Sequence, residues 1–322
     1  MRLLLTHKPG GAYGIISESW ANAAKDMGIT VVRWNGDIHS WFSFKPDVYI
    51  GCSGHRQPIP VNHGAKIAIH VNPIDKKCGF DDSSEAAEWV VRHKPDVVFG
   101  YALPCDAHWW DRWTGRYNIP FVPMATAGDI TLYKPDYAIP DSIDLAYVGG
   151  YWPYKAKSID KFLIPAIKQF NSQVYGWGSW PVAAGQIEDS QIPVLLNKAK
   201  VGPCISEPHT HSLGFDLPER VFKVILSGAI PVHDPALNIN KIVDGIPSAK
   251  SPDDFVHLCR VWIEAQETVR KKLSFKLVKS LVENGHTYHH RLANLLRFLG
   301  FEYVNIAKEK CDAYLSSIGN PW

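Results

Sequence analysis

Pro218-Glu219-Arg220-Val221-Phe222-Lys223-Val224-Ile225-Leu226-Ser227-Gly228-Ala229-Ile230-Pro231-Val232 decides the fold reading. Pro218 suits the first turn of a helix. Val221, Val224 and Ile225 recur at helical spacing, and Glu219 and Lys223, four apart, share a face. Gly228 ends the helix. Ala229-Ile230-Pro231-Val232 then reads as a buried strand, apolar throughout. A helix that passes through a glycine into such a strand is one unit of a parallel α/β sheet.

The same unit recurs outward in both directions. Upstream, strands are expected at Leu3–Thr6, Ile29–Trp34, Asp47–Gly51, Lys66–His70, Asp96–Gly100 and Phe121–Pro123. Helices are expected near 84–93 and 107–117, with Ile16, Trp20, Ala23 and Met27 marking one after the first strand. The stretch 133–144, YKPDYAIPDSID, carries prolines and acids and reads as a linker. Beyond it, strands at Leu145–Val148, Gln173–Tyr175, Val201–Ile205 and Ile230–His233 alternate with helices at 159–170, 192–199 and 219–226. From Asp253 onward the pattern is nearly all helical. The expected fold is α/β, with two Rossmann-like doubly wound domains facing across a cleft. Ligands of such sheets bind at the C-terminal ends of the strands.

Composition bounds the partners. The chain has 322 residues, 46% hydrophobic and 20% charged, which excludes wholesale disorder. A formal charge of +2 excludes a polybasic, histone-like mode but leaves room for a local basic groove. The 12 Trp and 13 Tyr suit either an aromatic core or stacking surfaces for sugars and bases. Trp109, Trp110 and Trp113 crowd one helix, so some are expected at the surface unless another body covers them. The six cysteines, at 52, 78, 105, 204, 259 and 311, form no close pair, which fits a reducing compartment. The N-terminal MRLLLTHKPGG reads as a strand rather than a signal peptide, and no stretch is long and apolar enough to span a bilayer. A cytoplasmic protein is expected, in the host cytoplasm if virus-encoded.

Three segments carry chemistry. Lys8-Pro9-Gly10-Gly11-Ala12-Tyr13-Gly14 follows the first strand, where glycines permit close backbone approach and a helix start offers N–H groups to an anion; a tight turn is the rival reading. Tyr147-Val148-Gly149-Gly150-Tyr151-Trp152-Pro153-Tyr154-Lys155-Ala156-Lys157 follows the first strand of the second half. Its amides at Gly149 and Gly150, with Lys155 and Lys157, can surround a diphosphate, or form a flexible turn with solvated lysines. Glu207 to Val232 places Glu219 and Arg220 at a helix start, a carboxylate for ribose hydroxyls and a guanidinium for phosphate. Trp177 and Trp180, in YGWGSW, suit stacking on a base or sugar, or core packing. His209 and His211 lack the further clustered ligands that a metal needs, and His286, His289 and His290 read as helix-surface and packing groups.

PERVFKVILSGAIPV resembles the sugar-nucleotide motif of group 1 glycosyltransferases, in particular the spore-maturation, CgeB-like branch. GHTYHHRLANLLRFLG, Gly285–Gly300, resembles that branch's closing helix, and KPGGAYGIISESWANAAKDMGITVVRW the glycine loop and first helix of the wider GT-B group. VPMATAGDITLYKP and AYVGGYWPYKAKS stand in the expected order. The resemblance implies a GT-B fold: an acceptor domain at 1–138, a nucleotide-sugar donor domain at 139–300, and a helix at 301–322 packing back toward the N-terminal domain. It implies donor contacts from Gly10, Gly11, Gly149, Gly150, Lys155, Glu219 and Arg220; Trp177, His211 and Lys223 are further donor-binding candidates read from the residues themselves. Lys223 stands where the family commonly has the Glu that binds ribose, so Glu219 is expected to take over that role or the donor to be held differently.

The implied activity is transfer of a sugar from a UDP- or GDP-linked donor to an acceptor hydroxyl, with no cofactor and no metal. The candidates for the catalytic group are His70, Asp75 and His55, acting as general base in an inverting reaction; in a retaining one His70 would touch the donor sugar. The bland reading of His70 is a strand-end imidazole bonded to backbone. Three destinations stay open: a glycan, lipid-linked or small-molecule acceptor; DNA bearing a hydroxymethylated base, with Arg56, Arg92, Arg112 and Arg116 on phosphate; or an inactive nucleotide-sugar binder.

Overall fold

The computed structural model describes residues 1–6, 11–74 and 84–319. The chain divides into two compact units. Unit 1 comprises Met1–Ala125 and Tyr288–Lys310, unit 2 Thr126–Thr287 and Cys311–Trp322. These limits lie apart from the sequence-based boundaries at 138/139 and 300/301: the chain returns to unit 1 at Tyr288 and leaves it again after Lys310.

Unit 1 holds, among the described residues, a six-stranded sheet of β1 (Arg2–Thr6), β2 (Thr30–Trp34), β3 (Val48–Cys52), β4 (Lys66–His70), β5 (Val97–Gly100) and β6 (Phe121–Pro123). The order is β2-β1-β3-β4-β5-β6, and every pairing is parallel. The strands are apolar because helices cover the sheet: β3 and β5 are buried at every position. Trp34 packs edge-on against Trp41 and Tyr49 at 5.0 and 5.6 Å, Trp41 lies tilted against Tyr49 at 5.2 Å, and the Tyr49 hydroxyl meets Thr6 Oγ1 at 2.6 Å. Trp110 and Trp113, expected in part at the surface, are buried. Trp110 stacks on Phe121 at 5.2 Å, and the indole N–H groups of Trp110 and Trp113 donate to the carbonyls of Val71 and Asn72 respectively. His289, read with its neighbours as a helix-surface or packing group, is buried and bonds Asp26 at 2.9 Å across the unit.

Unit 2 holds a four-stranded parallel sheet of β7 (Ile143–Val148), β8 (Ser172–Tyr175), β9 (Ala199–Cys204) and β10 (Ile230–His233), in the order β10-β9-β7-β8. Both sheets wind the same way from their first strand, and strand order reverses between the first and third strands of each. The segment read as a linker is tied down instead. Tyr133 is buried and its carbonyl accepts from Tyr314 Oη. Arg270 binds Asp141, and Lys271 donates to the Tyr137 carbonyl, so the acids and carbonyls of 133–144 anchor it to the helix Glu267–Glu283. No helix among the described residues is long and apolar enough to cross a membrane.

Candidate functional site

In unit 2 the strand order reverses between β7 and β9, and ligands of such sheets lie outside the carboxyl ends of the strands at that point. Four segments converge there: the turn after β7, the turn after β8, the turn after β9, and the start of the helix Arg220–Leu226. Arg220 spans the gap. Its Nε and Nη2 donate to the Val148 carbonyl at 2.9 and 2.8 Å, Nη1 reaches the Ile205 carbonyl at 3.5 Å, and the guanidinium lies 4.1 Å from the centre of the Tyr147 ring. A cation held by carbonyls from both strands is a preset anchor for an anion, because its own orientation is already fixed.

Lys155, from the helix Pro153–Ser158, is buried and pairs with Glu207 Oε1 at 3.0 Å, while Lys157 is exposed. Lys155 Nζ also lies 5.2 Å from the Trp152 ring centre. Trp152 and Trp177 stack almost coplanar, 5° and 5.2 Å apart, and Trp177 keeps 48% of its surface exposed. Trp180 is a packing group: its Nε1 donates to the Gly149 carbonyl and its ring lies against Tyr147 and Tyr151. Gly149 and Gly150 have a packing role besides the expected ligand contact. A Cβ on Gly149 would meet the Arg220 guanidinium, and one on Gly150 the Trp177 indole, so these glycines make room for the site's own side chains.

Asp234, just past β10, is fully buried and collects donors from three segments. Ser206 N and Oγ each donate at 2.9 Å, His211 Nε2 lies at 2.8 Å and His233 Nδ1 at 3.0 Å. Burial alone would raise its pKa, but the hydrogen bonds and charges of His211 and His233 outweigh it and hold the carboxyl well below the usual range. His211 is thereby fixed through Nε2 while part of its ring stays exposed. The Cys204 thiol, at the end of β9, is pushed up to about 12 by burial first, with Asp234 adding to the shift and Arg220 and Lys155 opposing it.

Glu219 and Lys223 form an ion pair at 2.5 Å, both nearly buried, with Lys223 Nζ 5.8 Å from the Tyr133 ring centre. The carboxylate expected at ribose hydroxyls is thus engaged by the lysine one turn later.

The unit 1 residues are placed differently. Gly11 opens the helix Gly11–Asp26; Gly10 and Asp75 lie outside the described residues. His70 is buried at the end of β4, its Nδ1 3.6 Å from Cys52 Sγ and its ring 4.1 Å from that of Tyr101. It lines a cavity of about 20 Å³ with Thr6, Tyr13 and Ser17, room for a water or two. The His55 ring lies tilted 4.8 Å from that of Tyr13, and burial first, then neighbouring ionisable groups, raise the Tyr13 hydroxyl well above its ordinary range. Among the described residues no three His, Cys, Asp or Glu side chains cluster as a metal centre would need.

Sequence reading missed Glu207, Asp234 and Trp152 as site residues. An acid or aromatic in the turn that follows a strand's carboxyl end is the signal that marks them.

A glycosyl transferase-like family model matches residues 157–297. No curated protein sequence matches the chain. Solved structures match it over nearly its whole length. HepE from Anabaena with UDP and glucose is 13% identical, with a TM-score of 0.60 over 98% of this chain and 99% of its own. The T4 phage β-glucosyltransferase with UDP-glucose is also 13% identical, with a TM-score of 0.58 over 99% and 100%. A sucrose-phosphate synthase from Thermosynechococcus elongatus is 10% identical, with a TM-score of 0.56 over 98% of each chain. The fold is GT-B.

Proposed function

We propose that the protein is a glycosyltransferase whose unit 2 binds a UDP-linked sugar and that it moves the sugar to an acceptor hydroxyl. The observation that carries this reading is the convergence of Arg220, Lys155 and the Trp152–Trp177 pair at the β7/β9 reversal. The base stacks on the exposed face of Trp177, and the diphosphate meets Arg220 and Lys155. As the glycosidic bond to the leaving oxygen breaks, negative charge grows on the diphosphate, and preset cations there stabilise the transition state more than the ground state. The glycosyl transferase-like match and the UDP and UDP-glucose bound by similar structures support a uridine nucleotide.

Finer assignments belong to the same proposal. The chain stands beside the CgeB-like branch, and it works in the cytoplasm without a protein-held metal, although one similar structure, of the T4 enzyme, holds UDP with Mn2+. Unit 1 receives the acceptor, a glycan, lipid-linked sugar or small molecule. A DNA acceptor is less favoured, since Arg56 of the expected phosphate-binding set is bound to Glu85 at 2.8 Å.

The test is a thermal-shift and calorimetric comparison of UDP, GDP and their sugar conjugates. At a hundredfold excess over Kd, UDP-sugar should raise Tm by about 5 °C, and Arg220→Ala should weaken the response. No response to any nucleotide would overturn the reading. Binding with neither hydrolysis nor transfer to any acceptor would leave an inactive binder.

A further inference from the structure

The helix Tyr288–Phe298 belongs to unit 1, whose sheet ends at the edge strand β6. Its Leu292, Leu295 and Leu296 are buried in the core. Arg291, Asn294 and Phe298, spaced three and then four apart, share another face, with Arg297 beside them. That face and the end of β6 line a cavity of about 340 Å³, within the range of small-molecule sites. Val122, Pro123 and Met124 give it an apolar side, and Phe298, 50% exposed, adds an aromatic ring. Its polar side chains are two guanidiniums and one amide, and no carboxylate lines it.

Arg291 is half-buried, and its Nε donates to the Ala125 carbonyl at 2.9 Å, which fixes the plane of the guanidinium. Burial lowers this group from its ordinary value to about 10. A cation stripped of water and already oriented attracts an anion more strongly than a solvated one does. Arg297 and Asn294 are exposed and make no side-chain hydrogen bond or ion pair among the described residues. A bare inorganic anion here would leave the apolar side facing water. A purely apolar guest would desolvate two cations without pairing them. A molecule with both characters uses the whole lining. We propose that this cavity binds a small organic anion, its carboxylate or phosphate on Arg291 and Arg297 and its aromatic or branched apolar body against Met124 and Phe298. The site shares no residue with the proposed donor site in unit 2 and does not depend on that reading.

The experiment titrates the full chain with phenyl phosphate, benzoate, inorganic phosphate and benzyl alcohol by calorimetry. Phenyl phosphate or benzoate should bind saturably, with a Kd of about 1 mM or tighter. Inorganic phosphate and benzyl alcohol, each lacking one half of the ligand, should bind at least about tenfold more weakly. Arg297→Ala removes a charged donor and Asn294→Asp adds a repelling charge, and each should weaken the organic anion about tenfold. Arg220→Ala, and Arg92→Ala at an exposed position elsewhere in unit 1, should leave it within about twofold. The proposal is overturned if neither organic anion saturates, or if inorganic phosphate or benzyl alcohol binds as tightly. Unchanged binding in Arg297→Ala or Asn294→Asp also overturns it. Loss in Arg220→Ala alone would mean that the probe occupies unit 2, and loss in Arg92→Ala that it reads general surface charge; either result sinks the proposal. Should one of the two cavity variants not fold, the other decides.

Discussion

Lys223 and Glu219 show how one residue's charge reshapes its neighbourhood. With both side chains close to buried, each is the other's main compensation for leaving water. Glu219→Ala should leave Lys223 a nearly buried, uncompensated cation and destabilise the protein by about 2 kcal/mol, read in a urea melt. Exchanging the two charges together should restore most of that loss. A Glu219→Ala protein with unchanged stability and weakened UDP binding would instead make Glu219 a ribose ligand. Gly149 carries a second residue-scale prediction. Gly149→Ala places a methyl group where the Arg220 guanidinium lies. The guanidinium must then leave the Val148 carbonyl, at a cost of about 1–3 kcal/mol, and UDP affinity should fall with it. An alanine variant with wild-type UDP binding would show that Arg220 does not act from this position.

At the scale of elements, Asp234 joins the end of β10 to the turn after β9 and the helix Pro208–Leu213. Asp234→Asn keeps the shape but removes the anion, and should destabilise by about 3 kcal/mol. Its carboxyl is held below the ordinary carboxylate range in the folded state. Its contribution is therefore fully present above the unfolded value near pH 4 and is lost as pH falls through the folded value. Acid titration of stability should show a step below about pH 4 in wild type that is reduced in Asp234→Asn. The elements themselves were largely legible. The apolar runs at Lys66–His70, Phe121–Pro123 and Ile230–His233 are strands with the expected ends, because a strand buried on both faces writes a contiguous apolar signal. The helices Ile38–Phe44 and Pro208–Leu213 went unread, since one or two turns are too short for a period to register. The stretch 133–144 misled because prolines and acids mark irregular backbone whether it is loose or, as here, bonded to a helix far along the chain.

For the molecule as a whole, the prediction concerns the charge on the leaving diphosphate. If Arg220 and Lys155 neutralise it, transfer should survive EDTA. Full loss with rescue by a divalent ion would assign that task to a metal instead. Both Lys155→Ala and Arg220→Ala should lower kcat more than they raise KM, by about 10²-fold or more, since charge develops only in the transition state.

By itself the sequence determined the class of fold and the segments from which a site is built: apolar strands alternating with helices, glycine turns after β7, and a helix opening on Glu219 and Arg220. Those features are local, written in spacing and residue type, so they survive without coordinates. Only the tertiary structure decided which of those groups meet. Arg220 lies on the Val148 carbonyl 72 positions away, Lys155 on Glu207 52 positions away, and His211 on Asp234 23 positions away. Such pairings depend on strand order, and strand order is a choice among packings that no local pattern encodes.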